Sequence, residues 1–236
     1  MLVPKQHGAW AMLIIPFMLG AYAGGISWLH LPLFLGWLGL YLAAYPFLMT
    51  VKTKRKGEYM RWFYRYFSGA MIMLAIPLFF QWKLVYFGLA MVPFFFVNLY
   101  FAKKKDERAL LNDVAAIASF CIGGLASFYI SRGTLTMQAW ELYMFCFFFF
   151  IGSTFYVKTM IREKKNPMYK WVSWGYHLLL IVGLIIAGYQ LFALAYVPSV
   201  IRALYLYGKS ISTMKVGVLE IANAVYFGLA MLLFLA

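Results

Sequence analysis

Three runs of basic residues carry the side chains best suited to hold an anion: Lys52–Lys56 (KTKRK), Lys103–Arg108 (KKKDER) and Lys158–Lys165 (KTMIREKK). Lysine offers a compact charge and arginine a planar fork. Lys52, Arg55, Lys103, Arg108, Lys158 and Arg162 are therefore candidate ligands for a phosphate, diphosphate or carboxylate. Asn112 and Asp113 follow the second run directly and are candidates to contact and orient such a group, with Asp113 as a cavity acid. His7, in the polar opening Pro4–Trp10, titrates near neutrality and is the acid/base candidate. Each has a plainer reading. Basic loops also orient a membrane protein and attract anionic headgroups. Asp113 also suits a helix N-terminus, whose dipole favours negative charge, and His7 suits an interfacial hydrogen bond. The residues alone leave both readings open.

A second constellation lies inside apolar sequence. Arg202 stands about six residues before a basic loop and Glu220 about four after it, similar depths on two antiparallel helices at about 1.5 Å per residue. Pairing lowers the cost of each charge near lipid, so the two are expected to form an intramembrane ion pair, or a substrate or proton site. Asn223, one turn beyond Glu220, is placed to join them, and His177 is a lone polar group in its segment. No P-loop, HExxH, paired-cysteine metal site or Rossmann fingerprint is present. His7, His30 and His177 are too widely spaced for a di-haem arrangement, so no motif assigns a cofactor or metal. Cys121 and Cys146 both fall in apolar segments and read as packing residues.

The elements that must position these groups are membrane helices. The chain is 65% hydrophobic and 21% aromatic with 12% charged residues over 236 positions, too few polar side chains to cover a soluble domain. A hydrocarbon layer of about 30 Å needs about 20 apolar residues per helix. Such segments recur throughout, predicting one all-α polytopic domain with nine spans near 8–27, 31–50, 67–81, 84–102, 110–130, 137–157, 171–188, 190–207 and 217–236. Runs such as Met144–Ile151 lack the alternation of a membrane β-barrel. The first segment, behind a thin basic flank, reads as an uncleaved helix rather than a secretory signal.

The net charge of +14 is explained by orientation rather than by nucleic acid. With nine spans and a cytoplasmic N-terminus, one side holds all 21 Lys and Arg except Lys83, Arg132 and the intraspan Arg202. Val51-Lys52-Thr53 after the second span and Val157-Lys158-Thr159 after the sixth hint at an internal repeat.

The opening KQHGAW (Lys5–Trp10), the ERALLND segment (Glu107–Asp113) and VKTMIRE (Val157–Glu163) resemble the YwiC-like family along essentially the whole chain. That resemblance implies a multi-pass protein of the bacterial inner membrane and supplies no substrate. A more distant likeness is to the UbiA superfamily of intramembrane prenyltransferases, which also have nine helices, a cytoplasmic N-terminus and active-site loops after helices two and six. Tyr100–Lys104 looks similar to that family's Tyr-containing basic end of helix four. Its aspartate-rich motifs are replaced here by Val51–Lys56 and Val157–Lys164. Lysines cannot bridge Mg²⁺ to a diphosphate. This departure argues against ordinary Mg²⁺-dependent prenyl transfer and leaves open a cavity in which Lys and Arg neutralise the anion directly. The expectation is a protein that binds an amphipathic anion, such as an isoprenoid phosphate, quinone precursor or phospholipid, with membrane lipids as partners. A small-molecule or ion transporter and an accessory subunit of a membrane complex are the rival readings.

Overall fold

The computed structural model describes residues 2–4, 7–53 and 56–236, with His7 through its backbone only. Its described residues form helices and connecting turns, with no strand. The helices are α1 (His7–Gly24), α2 (His30–Lys52), α3 (Lys56–Phe80), α4 (Val85–Lys103), α5 (Leu110–Arg132), α6 (Met137–Val157), α7 (Pro167–Ile186), α8 (Gln190–Ala193), α9 (Val197–Tyr205) and α10 (Thr213–Leu235). Seven of the described helices are long and apolar enough to cross a membrane, and Gly8–Gly24 and Gln190–Tyr205 are shorter apolar segments. The protein is a polytopic helical membrane protein.

Several boundaries differ from expectation, each for a local reason. The third helix begins at Lys56 rather than near 67, because its first turns, with Glu58, Arg61 and Arg65, are helical but too polar for a hydropathy window. The segment expected as one helix over 190–207 is broken into α8, a 3₁₀ turn at Leu194–Tyr196 and α9, whose second residue is Pro198. α7 and α8 are separate, as the sequence required, and Gly188 takes φ +88° between them. The sixth helix runs past 157 into a π turn, Lys158–Arg162, in which Glu163 N–H reaches the Lys158 carbonyl at 2.7 Å.

The chain divides into two compact units. One comprises Pro16–Tyr143 with the chain's first residues, the other His7–Ile15 with Met144–Ala236. In the first unit α5 is the central element. Its small residues, including Ala115, Ala118, Gly123, Gly124 and Ala126, let neighbouring helices approach closely while Phe120, Leu125 and Phe128 fill the space between. Gly20 and Gly24 of α1 lie against Gly124 and Phe128, so close that a Cβ on Gly20 would stand 2.2 Å from the Gly124 carbonyl oxygen. His30 ties the start of α2 to α5: Nε2 donates to the Ser127 carbonyl at 2.9 Å, leaving Nδ1 to accept from Ser27 N–H at 3.0 Å. In the second unit α6 is central, with Phe145, Cys146, Phe149 and Phe150 buried. Phe149 stacks on Phe227 of α10 at 3.9 Å between ring centroids, which sets the register of these two helices.

Candidate functional site

Two polar places stand out, one in each unit. In the first unit, the C-terminal ends of α2 and α4 meet the N-terminal end of α5. Lys52 pairs with Glu107. Asn112 donates from Nδ2 to the Glu107 carbonyl at 2.7 Å and accepts through Oδ1 from Asn98 Nδ2 at 2.8 Å. Lys103 and Arg108 are exposed on either side, and Asp113 sits in the first turn of α5, where the helix dipole favours a carboxylate. The fold thus gathers Lys52, Lys103, Arg108, Asn112 and Asp113 at one end of this unit. Lys158 and Arg162 belong to the other unit, on the π turn after α6, Lys158 buried at 6% exposure and Arg162 exposed. The His7 side chain and all of Arg55 lie outside the described residues.

The two Val-Lys-Thr segments share one local feature. Thr53 and Thr159 each turn their hydroxyl back onto the carbonyl four residues earlier, Met49 at 3.2 Å and Phe155 at 2.8 Å. Thr53 itself is extended, whereas Thr159 lies within a π turn.

The second place is inside the helices of the second unit. α10 has a 3.6-residue period that aligns Val216, Glu220, Asn223, Phe227 and Met231 on one inward stripe. α9 presents Ser199, Arg202 and Ala203 to it, and α6 presents Phe149, Ser153 and Tyr156. Opposite polar residues meet in register. Arg202 Nη1 donates to Glu220 Oε1, and Ser153 Oγ donates to Glu220 Oε2. One turn away, the Asn223 amide exchanges hydrogen bonds with the Ser199 hydroxyl at 3.0 and 3.3 Å. Arg202 and Glu220 thus meet at the common depth expected from sequence, whereas Asn223, expected to join them, bonds Ser199 instead.

The pair does not use up its arginine. Arg202 is 7% exposed and its guanidinium lies over the Tyr156 ring, 4.0 Å from the centroid. Its Nε and Nη2 are buried and have no hydrogen-bond partner among the described residues. These two N–H groups form the edge with which arginine makes bidentate contact to a carboxylate or phosphate. Two further buried polar atoms in this unit are also without a partner there, the Tyr156 hydroxyl and His177 Nε2. The His177 ring, 3% exposed, donates from Nδ1 to the Ser173 carbonyl at 2.7 Å. That bond fixes the neutral tautomer and leaves Nε2 as an acceptor. Nε2 faces α6, since a Cβ on Gly152 would stand 3.2 Å from it. Buried polar groups are nearly always satisfied, so three donors and one acceptor left over within one helical unit make this the candidate site.

Ser153, Tyr156 and Ser199 do not stand out from sequence, and His177 stands there as a lone group. Ser153 and Tyr156 follow Phe149 at four and seven residues, a helical stripe hidden in a run so apolar that every face looks alike. An apolar groove of about 320 Å³ lies beside the same α10, lined by Trp10, Ala11, Ile14, Ile15, Ile221 and Val225 among others.

Known proteins place the chain in a family. The family model described as YwiC-like protein matches residues 3–128. The chain is 47% identical over 236 residues to the "Uncharacterized protein YwiC" of Bacillus subtilis (strain 168), covering 99% of this chain and 98% of that one. It is 42% identical over 228 residues to an "Uncharacterized protein" of Haemophilus influenzae (strain ATCC 51907 / DSM 11121 / KW20 / Rd), covering 96% of each. No solved structure matches. The first of the two resemblances stated from sequence is the one these matches establish: the chain belongs to the YwiC-like family.

Proposed function

We propose that this YwiC-like membrane protein binds an amphipathic anion in the bacterial cell inner membrane, holding its oxyanion inside the helices of the second unit. The observation that carries the reading is the buried Nε–Nη2 edge of Arg202, unpartnered among the described residues while Nη1 is committed to Glu220. A carboxylate or phosphate would take both N–H groups of that edge, with the Tyr156 hydroxyl as a third donor. The depth of the site selects the rest of the ligand. A group that reaches a charge buried among apolar helices needs a hydrocarbon part to travel with it, which fits an isoprenoid phosphate, a quinone precursor or a phospholipid. Lys52, Lys103, Arg108 and Arg162 are proposed to attract the anionic headgroups of membrane lipids and of such a ligand as it approaches.

The test is thermal stability of the detergent-purified protein against isoprenyl phosphates and diphosphates, long-chain carboxylates, quinone precursors and phospholipids, each with Mg²⁺ and with EDTA. A ligand present at about 100 times its Kd stabilises the fold by about 2.7 kcal/mol. Stabilisation that survives EDTA and is lost in Arg202→Lys, which keeps the charge beside Glu220 but removes the fork, supports the reading. A well-folded wild type that answers to no anionic amphiphile overturns it.

A second reading, transport of a small molecule or ion, is favoured by the same ion pair, since paired charges inside a membrane bundle suit a site that loads and unloads. Uptake into vesicles carrying the protein, absent with Arg202→Lys, would select transport over static binding.

A further inference from the structure

The only side-chain carboxylates of the second unit are Glu163 and Glu220, far fewer than its lysines and arginines. Glu220 is committed to Arg202 and Ser153, and Glu163 accepts from Asn166 Nδ2 at 3.3 Å. Arg162, Lys164, Lys165, Lys209 and Lys215 are exposed, where water solvates them. Lys170 is placed differently.

It lies half-buried in the first turn of α7, its ammonium set against three rings at once. The centroids of Trp174, Trp171 and Tyr207, the last just past α9, stand 4.5, 4.8 and 5.1 Å from Nζ. All three are within the roughly 6 Å over which a ring face attracts a cation. The rings hold one another. Trp174 meets Trp171 and Tyr207 edge to face at 5.8 and 5.6 Å, and its Nε1 donates to the Ala203 carbonyl at 2.9 Å, which pins the central ring to α9. This box positions a lysine without neutralising it, because a ring brings no negative charge. Lys52 and Arg202 have a carboxylate partner within the chain, and Lys170 has none among the described residues. An ammonium carries three donors, and the rings cover only the sides that face them.

The place of the box names the anion. Tryptophans at the end of a membrane helix lie at headgroup level, where the anions are those of lipid headgroups. Trp171, 63% exposed, opens an outward stripe of α7 that continues through Leu178, Leu179 and Val182 at helical spacing. A charge with hydrocarbon surface running away from it matches the two ends of a lipid. We propose that Lys170, held by Trp171, Trp174 and Tyr207, docks the headgroup phosphate of an anionic phospholipid. The phosphate accepts charge-assisted hydrogen bonds from the ammonium, and an acyl chain lies along the stripe. The site does not draw on Arg202 and stands or falls separately from it.

The experiment is native mass spectrometry of the full-length protein from detergent micelles holding equal amounts of phosphatidylglycerol and phosphatidylethanolamine with the same acyl chains. The expected result is a preference of about tenfold for phosphatidylglycerol in the first lipid bound, the size of one charge-assisted hydrogen bond. Lys170→Met keeps an apolar stem among the rings and should bring the two lipids near parity. Lys170→Gln repeats the test should the methionine variant fold poorly. Lys209→Met removes the same charge from an exposed lysine set against one ring, Tyr205, and should keep the preference. Glycerol phosphate, which has the phosphate without the chains, should leave the bound lipid in place. No preference in the wild type, or a preference that survives in both Lys170 variants, overturns the site. Equal loss in Lys170→Met and Lys209→Met assigns the preference to diffuse charge and overturns it as well. Displacement by glycerol phosphate assigns the box to a soluble phosphate and overturns the lipid.

Discussion

Arg202 and Lys52 are both cations with a carboxylate partner, and burial separates what the two pairs are worth. The Lys52 and Glu107 side chains are 21% and 33% exposed, so water competes for both partners. Exposed pairs contribute about 0–1 kcal/mol, and Lys52→Met should shift thermal stability by no more than that. Arg202 and Glu220 are 6% and 11% exposed. Removing one partner of a buried pair costs about 3–5 kcal/mol because the other charge is left stranded. Glu220→Gln should therefore destabilise strongly, whereas Arg202→Met combined with Glu220→Gln should recover much of the loss. Thermal unfolding of the four proteins in one detergent gives the coupling, and additive losses would show that the pair is not a unit. Sequence revealed this pair because depth along two helices is a one-dimensional quantity. It concealed the surroundings of His177, because they depend on a bond to Ser173 on one side and on Gly152 of a different helix on the other.

At the scale of elements, hydropathy recovered most helices and misplaced several of their ends. A window of apolar residues measures hydrocarbon thickness, whereas a helix continues as long as its backbone bonds do. Hence the polar start of α3 and the π turn after α6 were invisible to it, and the break inside 190–207 was masked by unbroken apolarity. Helix contacts were less legible still. Gly20 and Gly24 repeat at the four-residue interval that brings membrane helices together, but only the fold shows that their target is Gly124 and Phe128. A methyl group at Gly20 would fall 2.2 Å from a backbone carbonyl, which no side-chain adjustment relieves. Gly20→Ala is expected to cost about 1–3 kcal/mol, the usual range for overpacking. Gly175→Ala, in a helix where nothing lies within 4 Å of the new carbon, should instead leave stability unchanged or raise it by about 0.5–1 kcal/mol through helix propensity. Equal behaviour of the two variants in a thermal melt would refute a close crossing of α1 and α5.

For the molecule as a whole, the distribution of positive charge argues for one orientation in the membrane. In the first unit the structure sorts the charges by end. Lys52 is paired with Glu107 at the end where α4 meets α5, and exposed Lys103 lies in the last turn of α4. At the opposite end, Leu84 packs with Tyr129 and Ile130 beside exposed Lys83 and Arg132. Lys and Arg cross a membrane poorly during insertion, so the richer end is expected on the cytoplasmic side. Exposed Lys104 and Lys164 sit in basic connections assigned to that side, and Lys83 and Arg132 in the sparse connections assigned to the other. The two native cysteines, Cys121 and Cys146, are each 1% exposed, so their background reaction with a membrane-impermeant maleimide should be small. Cysteine placed singly at 104 or 164 should label only after the cytoplasmic face is opened. Cysteine at 83 or 132 should label from outside in intact cells. Labelling of 83 and 104 from the same side would break the alternation of α4 across the bilayer. Labelling of all four positions with sides exchanged would keep the helix count and reverse the orientation.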